Sequence, residues 1–158
     1  MYCSYCDKEV ETDIKKIVET YEVRGENITI NANVCFCKEC GEDLFHEEYD
    51  NDNLKRAYDE YRRKHNLLSA SEIAKIRHGY NMTKEAFSRV LGFSDGKIKS
   101  LENGSLPTFS ENNLLCLAGH PDMFFILLER GKNLINKEDY NAAKFEIEEF
   151  WAQRRNSV

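Results

Sequence analysis

The stretch TKEAFSRVLGFSDGKIKSLENG, residues Thr83 to Gly104, decides how the chain is read. Thr83 suits a helix N-cap, because its hydroxyl can accept a hydrogen bond from an orphaned amide. Ala86, Phe87, Val90 and Leu91 then fall on one helical face. Gly92 closes that helix, Phe93 is apolar and Ser94 can cap again. A second helix is expected from about Asp95 to Glu102, with Ile98 and Leu101 as its buried pair. Asn103-Gly104 stops it. Two short helices, a tight glycine turn and a polar outer face on the second predict a helix-turn-helix. The competing reading is a helical hairpin inside some other helical fold.

Working outward, Ile73 and Ile76-Arg77 belong to a preceding helix that Ser69 or Ser71 can cap. Together with T-K-E-A-F, L-G-F-S and S-L-E-N-G, they resemble the XRE/Cro-type helix-turn-helix over about 65–118. The resemblance implies a bundle of about five helices, usually dimeric, whose second motif helix enters the DNA major groove. It places Asp95, Gly96, Lys97, Lys99 and Ser100 where base edges are met, and Lys84 and Asn103 where phosphates are held. Lysines can contact guanine or phosphate, Ser100 either, and Asp95 can accept from cytosine. Asp95 also reads as a helix-dipole partner, and Lys97 and Lys99 as solubilising side chains.

The chain has 158 residues, 41% hydrophobic and 32% charged, a globular composition with room for one ordinary or two small domains. No apolar run approaches the roughly 20 residues that span a bilayer. The opening MYCSYCDKEVE lacks the apolar core of a signal peptide. A cytoplasmic location is expected, where the six cysteines stay reduced and metal binding is favoured over disulfides. Net charge is −6, which argues against nucleic acid until its distribution is considered. Residues 1–68 carry 10 basic and 16 acidic side chains, residues 69–104 carry 6 and 4, and residues 105–158 carry 6 and 8. The helix-turn-helix segment alone is net positive, as phosphate contacts require.

The N-terminal part carries Cys3-x-x-Cys6 and Cys37-x-x-Cys40, two knuckles presenting four thiolates, and tetrahedral zinc takes four sulfur ligands. Between them, Ile14 to Val23 reads as a strand, Arg24-Gly25-Glu26-Asn27 as a turn and Ile28 to Phe36 as a return strand. A hairpin that joins two knuckles is a zinc ribbon, and the metal would staple a sheet too small to fold alone. Only Cys37 has the x-x spacing to Cys40, so Cys35 reads as structural. His46 is a lesser ligand candidate. Iron also suits four sulfurs, and a redox role for C-x-x-C is the competing chemistry, although no thioredoxin-like pattern surrounds either pair.

From Asp50 a helix is expected, with Leu54, Ala57, Tyr58 and Tyr61 at helical spacing and Arg62-Arg63-Lys64 at its end. Beyond the helix-turn-helix, Ser110 can cap a helix in which Cys116 reads as core. Pro121 suits the first turn of the next, DMFFILLERG. Its apolar residues run almost all round, which predicts one face in the bundle and one in a dimer interface. A last helix from near Asn136 has Tyr140, Ala143, Ile147, Phe150 and Trp151 as its stripe, with Glu146, Glu148 and Glu149 facing out.

The order of these parts resembles MqsA-type antitoxins, whose N-terminal module is called a YgiT-type zinc finger, over about 1–130. It also resembles the front of longer antitoxins with a SocA-like (Panacea) domain. By motif position the resemblance implies Cys3, Cys6, Cys37 and Cys40 as ligands of one structural zinc per chain. It implies a homodimeric repressor that binds double-stranded operator DNA through its C-terminal part and a protein toxin through its N-terminal domain. MqsA-type proteins carry a long amide and an arginine where Gly96 and Ser100 stand, so this operator is expected to differ.

The expected fold is mainly α with a small N-terminal β zinc ribbon, a five-helix XRE-type domain and an extra C-terminal helix. The domains expected are a zinc-ribbon-like domain over 1–50, a linker helix over 51–68, the helix-turn-helix domain over 69–132 and a C-terminal amphipathic helix over 133–158. No nucleophile–base pair, phosphate-cradling glycine loop or His-rich metal site is found, so no enzyme and no membrane partner is expected. The alternative function is a stand-alone XRE-family regulator, of phage or mobile-element type, with a structural zinc domain.

Overall fold

Val23 and Glu26 pair across a turn of only two residues, Arg24 and Gly25, both at positive φ (52° and 81°). That geometry matches the twist of the strands it joins, and Gly25 adopts it without a Cβ penalty. The expected four-residue turn therefore shortens, and Glu26 and Asn27 enter the return strand. The computed structural model describes residues 1–156, and the chain divides into two units, Met1–His65 and Asn66–Val158.

In the first unit, β1 (Tyr2–Cys3) pairs with β2 (Lys8–Glu9), and a second antiparallel sheet runs β3 (Thr12–Val23), β4 (Glu26–Cys37), β5 (Asp43–Leu44). Alternate residues of β4, namely Ile28, Ile30, Ala32 and Val34, are buried, as the two-residue period of a strand dictates. Helix α1 (Glu47–His65) packs against β4 and buries Asn53, Ala57 and Tyr61. It starts three residues earlier than expected, because the Asp50 carboxylate accepts from the His46 amide at 2.8 Å and closes the first turn. It belongs with the hairpin rather than standing as a linker, and the division falls after His65. Arg62, Arg63 and Lys64 at its end pair with Asp59, Glu60 and Glu26.

Asn53 is fully buried and works as a false strand. Its side chain accepts from the Asn33 amide at 3.0 Å and donates to the Asn33 carbonyl at 2.9 Å. Arg56 donates to the Asn31 carbonyl at 3.2 Å. These side chains satisfy the Asn33 amide and carbonyl and the Asn31 carbonyl on the edge of β4 beyond β5.

In the second unit, α2 (Ala70–His78), α3 (Lys84–Val90), α4 (Lys97–Glu102), α5 (Phe109–Ala118), α6 (Pro121–Gly131) and α7 (Lys137–Asn156) surround one core. Phe87, Ile98, Leu101, Leu115, Phe124, Leu128, Ala143 and Ile147 are wholly buried in it. The last helix is thus part of the core. It is also tied to α3, since the buried Asp139 accepts from the Thr83 amide at 3.2 Å and from Asn136 Nδ2 at 2.8 Å.

Caps set the helix starts. Ser69 with Glu72, and Thr108 with Glu111, form capping boxes, and Thr83 accepts from the Ala86 amide. Thr108 rather than Ser110 therefore opens α5. On that helix the buried stripe is Asn112, Leu115 and Ala118, which turns Cys116 outward; it is exposed, not core. On α6, Phe124 and Leu128 face the core while Met123 and Ile126 are exposed. Among the described residues no helix is long and apolar enough to cross a membrane.

Candidate metal centre and nucleic-acid interface

Strand β1 ends on Cys3 and β4 ends on Cys37, and each is followed by a tight turn that returns the second cysteine of its knuckle. The sulfurs of Cys3, Cys6, Cys37 and Cys40 all lie within 4.8 Å of one another. Cys3 Sγ is 3.7 Å from Cys40 Sγ, and Cys6 Sγ is 3.9 Å from Cys37 Sγ. A disulfide needs about 2.0 Å. Four sulfurs at 2.3 Å from one tetrahedral ion lie about 3.8 Å apart. The four cysteines are therefore placed to bind a metal ion, and the donor set and spacing suit zinc.

The knuckle amides prepare the thiolates. The Cys40 and Glu39 amides donate to Cys37 Sγ at 3.5 and 3.4 Å. Led by the Cys40 amide, they draw the Cys37 thiol down to about 7. The nearby Cys40 sulfur, foremost, pushes the Cys6 thiol up to about 12. Four thiols this close do not all ionise unless a cation joins them. Val10 and Leu44 pack with Cys3 and Cys37 in a small cluster of their own. Cys35 sits opposite Ile14 and Leu44 and stays outside the sulfur group, as does His46, whose ring lies 4.4 Å from Tyr49.

The second candidate site is the outer side of α3 and α4. Gly96 takes φ 78°, outside the helical region, so α4 begins at Lys97 and Asp95 stands off the helix. Asp95 lies 3.6 Å from Arg89 instead of serving the helix N-terminus. With no side-chain cap at Gly96, the buried Ser88 of α3 accepts from the Ile98 amide at 3.3 Å. Ser88 was missed in the sequence, because its neighbours read as an ordinary apolar face.

Glu102 holds α4 from its other end. Arg77 of α2 binds its two oxygens at 2.7 and 3.1 Å, and Lys84 lies 3.1 Å from one of them. Burial opposes the charged form of Glu102, but the bonds from Arg77 and Lys84 prevail and keep its carboxyl below the usual range. Lys97 pairs with Glu111 at 2.9 Å. Two of the three expected lysines thus already have acidic partners. Lys99 has no ion-pair partner among the described residues and is exposed. With Gly96, Ser100, Asn103 and Ser105 it lines a shallow concavity. The Ser100 hydroxyl lies 2.7 Å from that of Ser105.

The chain thus joins a hairpin unit carrying four cysteines placed to bind a metal ion to a second unit that is helical over its described residues. The family model described as MqsA, the antitoxin component of a bacterial toxin-antitoxin system, matches residues 1–127, and the chain belongs to that family. No curated protein matches the chain. The match ends within α6, so α7 lies beyond it.

Proposed function

We propose that this chain is the antitoxin of a type II toxin-antitoxin system and represses its own operon as a homodimer. The observation that carries the DNA-binding reading is the fixing of α4. Ser88 ties its first turn, Arg77 and Lys84 tie its last, and Lys99, Ser100 and Asn103 stay exposed. A reading helix needs such a rigid base and a free polar face. Lys99 contacts a guanine edge or a phosphate, and Ser100 and Asn103 add hydrogen bonds. Lys84 and Lys97 act first as struts for α4, and reach phosphate only by sharing their partners. Asp95 pairs with Arg89 just ahead of α4, and Gly96 lets the backbone approach.

One zinc per chain is held by Cys3, Cys6, Cys37 and Cys40, and with all four positions filled by sulfur it is structural. The N-terminal unit is the toxin-binding part. The exposed Met123 and Ile126 of α6 support a dimer contact there.

The test is binding to labelled upstream DNA of the chain's own gene against a scrambled control, at several salt concentrations. Selective binding as a dimer with a steep salt slope is the expected result. Equal weak binding to both fragments overturns the repressor reading.

A further inference from the structure

A cleft of about 450 Å³ opens in the second unit between α2, the turn from α5 to α6, and α7. That size lies within the range of small-molecule sites. Its apolar lining is Ile76, Tyr80 and Pro121, with the exposed Phe150 at the edge. Tyr80 is fixed there, since its hydroxyl donates to the Ala118 carbonyl at 2.6 Å and its ring stacks on Phe124.

The charge around this lining is net negative. Glu146 and Glu149 of α7, three residues apart and so on one face, both line the cleft against a single lysine, Lys75. Glu149 has no ion-pair partner among the described residues, and Glu146 accepts only a neutral hydrogen bond, from Asn81 Nδ2 at 2.6 Å. Gly79 and Gly119, the C-caps of α2 and α5, also line the cleft. Two helix C-termini therefore meet there beside the N-terminus of α6 at Pro121, so the helix dipoles largely offset one another and the carboxylates set the sign. The last turn of α5 holds no basic residue; that of α2 holds Lys75, Arg77 and His78, of which only Lys75 lines the cleft while Arg77 is committed to Glu102. The carboxylates and the aromatic face favour a positive guest.

We propose that this cleft binds a small amphipathic organic cation, its apolar body on Ile76, Tyr80 and Phe150 and its ammonium at Glu146 and Glu149. The site depends on α7, which the family match does not reach, and it is independent of the DNA-reading face.

The test uses the full chain, with 2-phenylethylammonium as probe and the neutral 2-phenylethanol as its control. Titration calorimetry should give saturable one-to-one binding, in about the millimolar range or tighter for so small a molecule. The alcohol should bind at least about tenfold more weakly. The double variant E146Q/E149Q, which keeps the acceptor for Asn81, should lose a similar factor. Amide shifts on titration should gather at residues 75–80, 119–121 and 146–153. Absence of saturable binding, equal binding of the alcohol, unchanged affinity in the double variant, or shifts gathered elsewhere would each overturn the proposal.

Discussion

Arg77 Nε donates to Glu102 Oε1 at 2.7 Å while Nη2 donates to Oε2 at 3.1 Å, a two-point bond between α2 and the end of α4. Both side chains are over nine-tenths buried. Removing one partner strands the other charge in the interior, which costs about 3–5 kcal/mol. E102A should therefore lower the unfolding free energy of the second unit by about 3 kcal/mol, read by urea denaturation. The folded carboxyl lies below its usual range, so its stabilisation is complete above the unfolded value of about 4.3. It fades as pH falls through the lower folded value. The wild type should lose stability over that window, and E102Q should lose measurably less. Parallel acid limbs for the two would contradict the assignment.

Ser88 supplies the amide cap that Gly96 cannot. S88A should cost about 1 kcal/mol, the usual value of a lost cap. The loss should be local: amide exchange at Ile98 should quicken more than at Phe87, which α3 itself bonds. Uniform acceleration across the unit would mean that Ser88 acts through packing alone.

Asn53 and Asn33 offer the same kind of test in the first unit. N53A leaves the Asn33 amide and carbonyl without partners at a covered strand edge. A cost of about 2–3 kcal/mol is expected, more than truncation of an exposed asparagine gives. N53D keeps the acceptor but not the donor, and should fall between wild type and alanine.

Much of this was legible because local chemistry and fold agreed. Thr83, Ser69 and Pro121 start their helices as their types dictate, and Ile98 and Leu101 are wholly buried. Two C-x-x-C pairs joined by a hairpin with R-G at its turn carry their own geometry. What failed depended on partners distant in sequence. Asn53 reads as surface on a polar helix until β4 lies beside it, and Leu54, its apolar neighbour, turns outward. Cys116 reads as core in LLCLAG, yet the stripe of α5 runs through Asn112, whose Oδ1 accepts from the Leu68 amide at 2.8 Å. The T-x-x-E of Thr108 and Glu111 was a readable signal and outranks Ser110. No spacing rule could show that Lys84 and Lys97 are held by Glu102 and Glu111.

Removing metal should divide the first unit. Cys3, Cys37 and Cys6 pack with Val10 and Leu44, whereas Ile28, Ile30, Ala32, Val34, Ala57 and Tyr61 are buried outside that cluster. A chelator with reductant, or C37S, should loosen residues 1–11 and 37–45 while the hairpin under α1 holds. Amide exchange should rise at Cys3, Cys6 and Cys40 and stay slow at Ile30 and Ala32. Release should be promoted by acid, because protons compete for the thiolates. Collapse of the whole hairpin on chelation would show that the metal staples all of the unit.

The lysines of α4 separate reading from support. Lys99 is exposed and without an acidic partner, while Lys97 is bound to Glu111, the capping-box residue of α5. If Lys99 meets DNA, K99A should weaken binding to the chain's own upstream fragment and reduce the salt slope by about 1. Its thermal stability should not change. K97A should do the reverse, lowering the melting temperature by a few degrees, for a half-buried pair of about 0.5–1 kcal/mol, with the salt slope nearly intact. Equal loss of salt slope in both would mean that Lys97 leaves Glu111 for phosphate on binding. No change in either would move the DNA-contacting face away from α4.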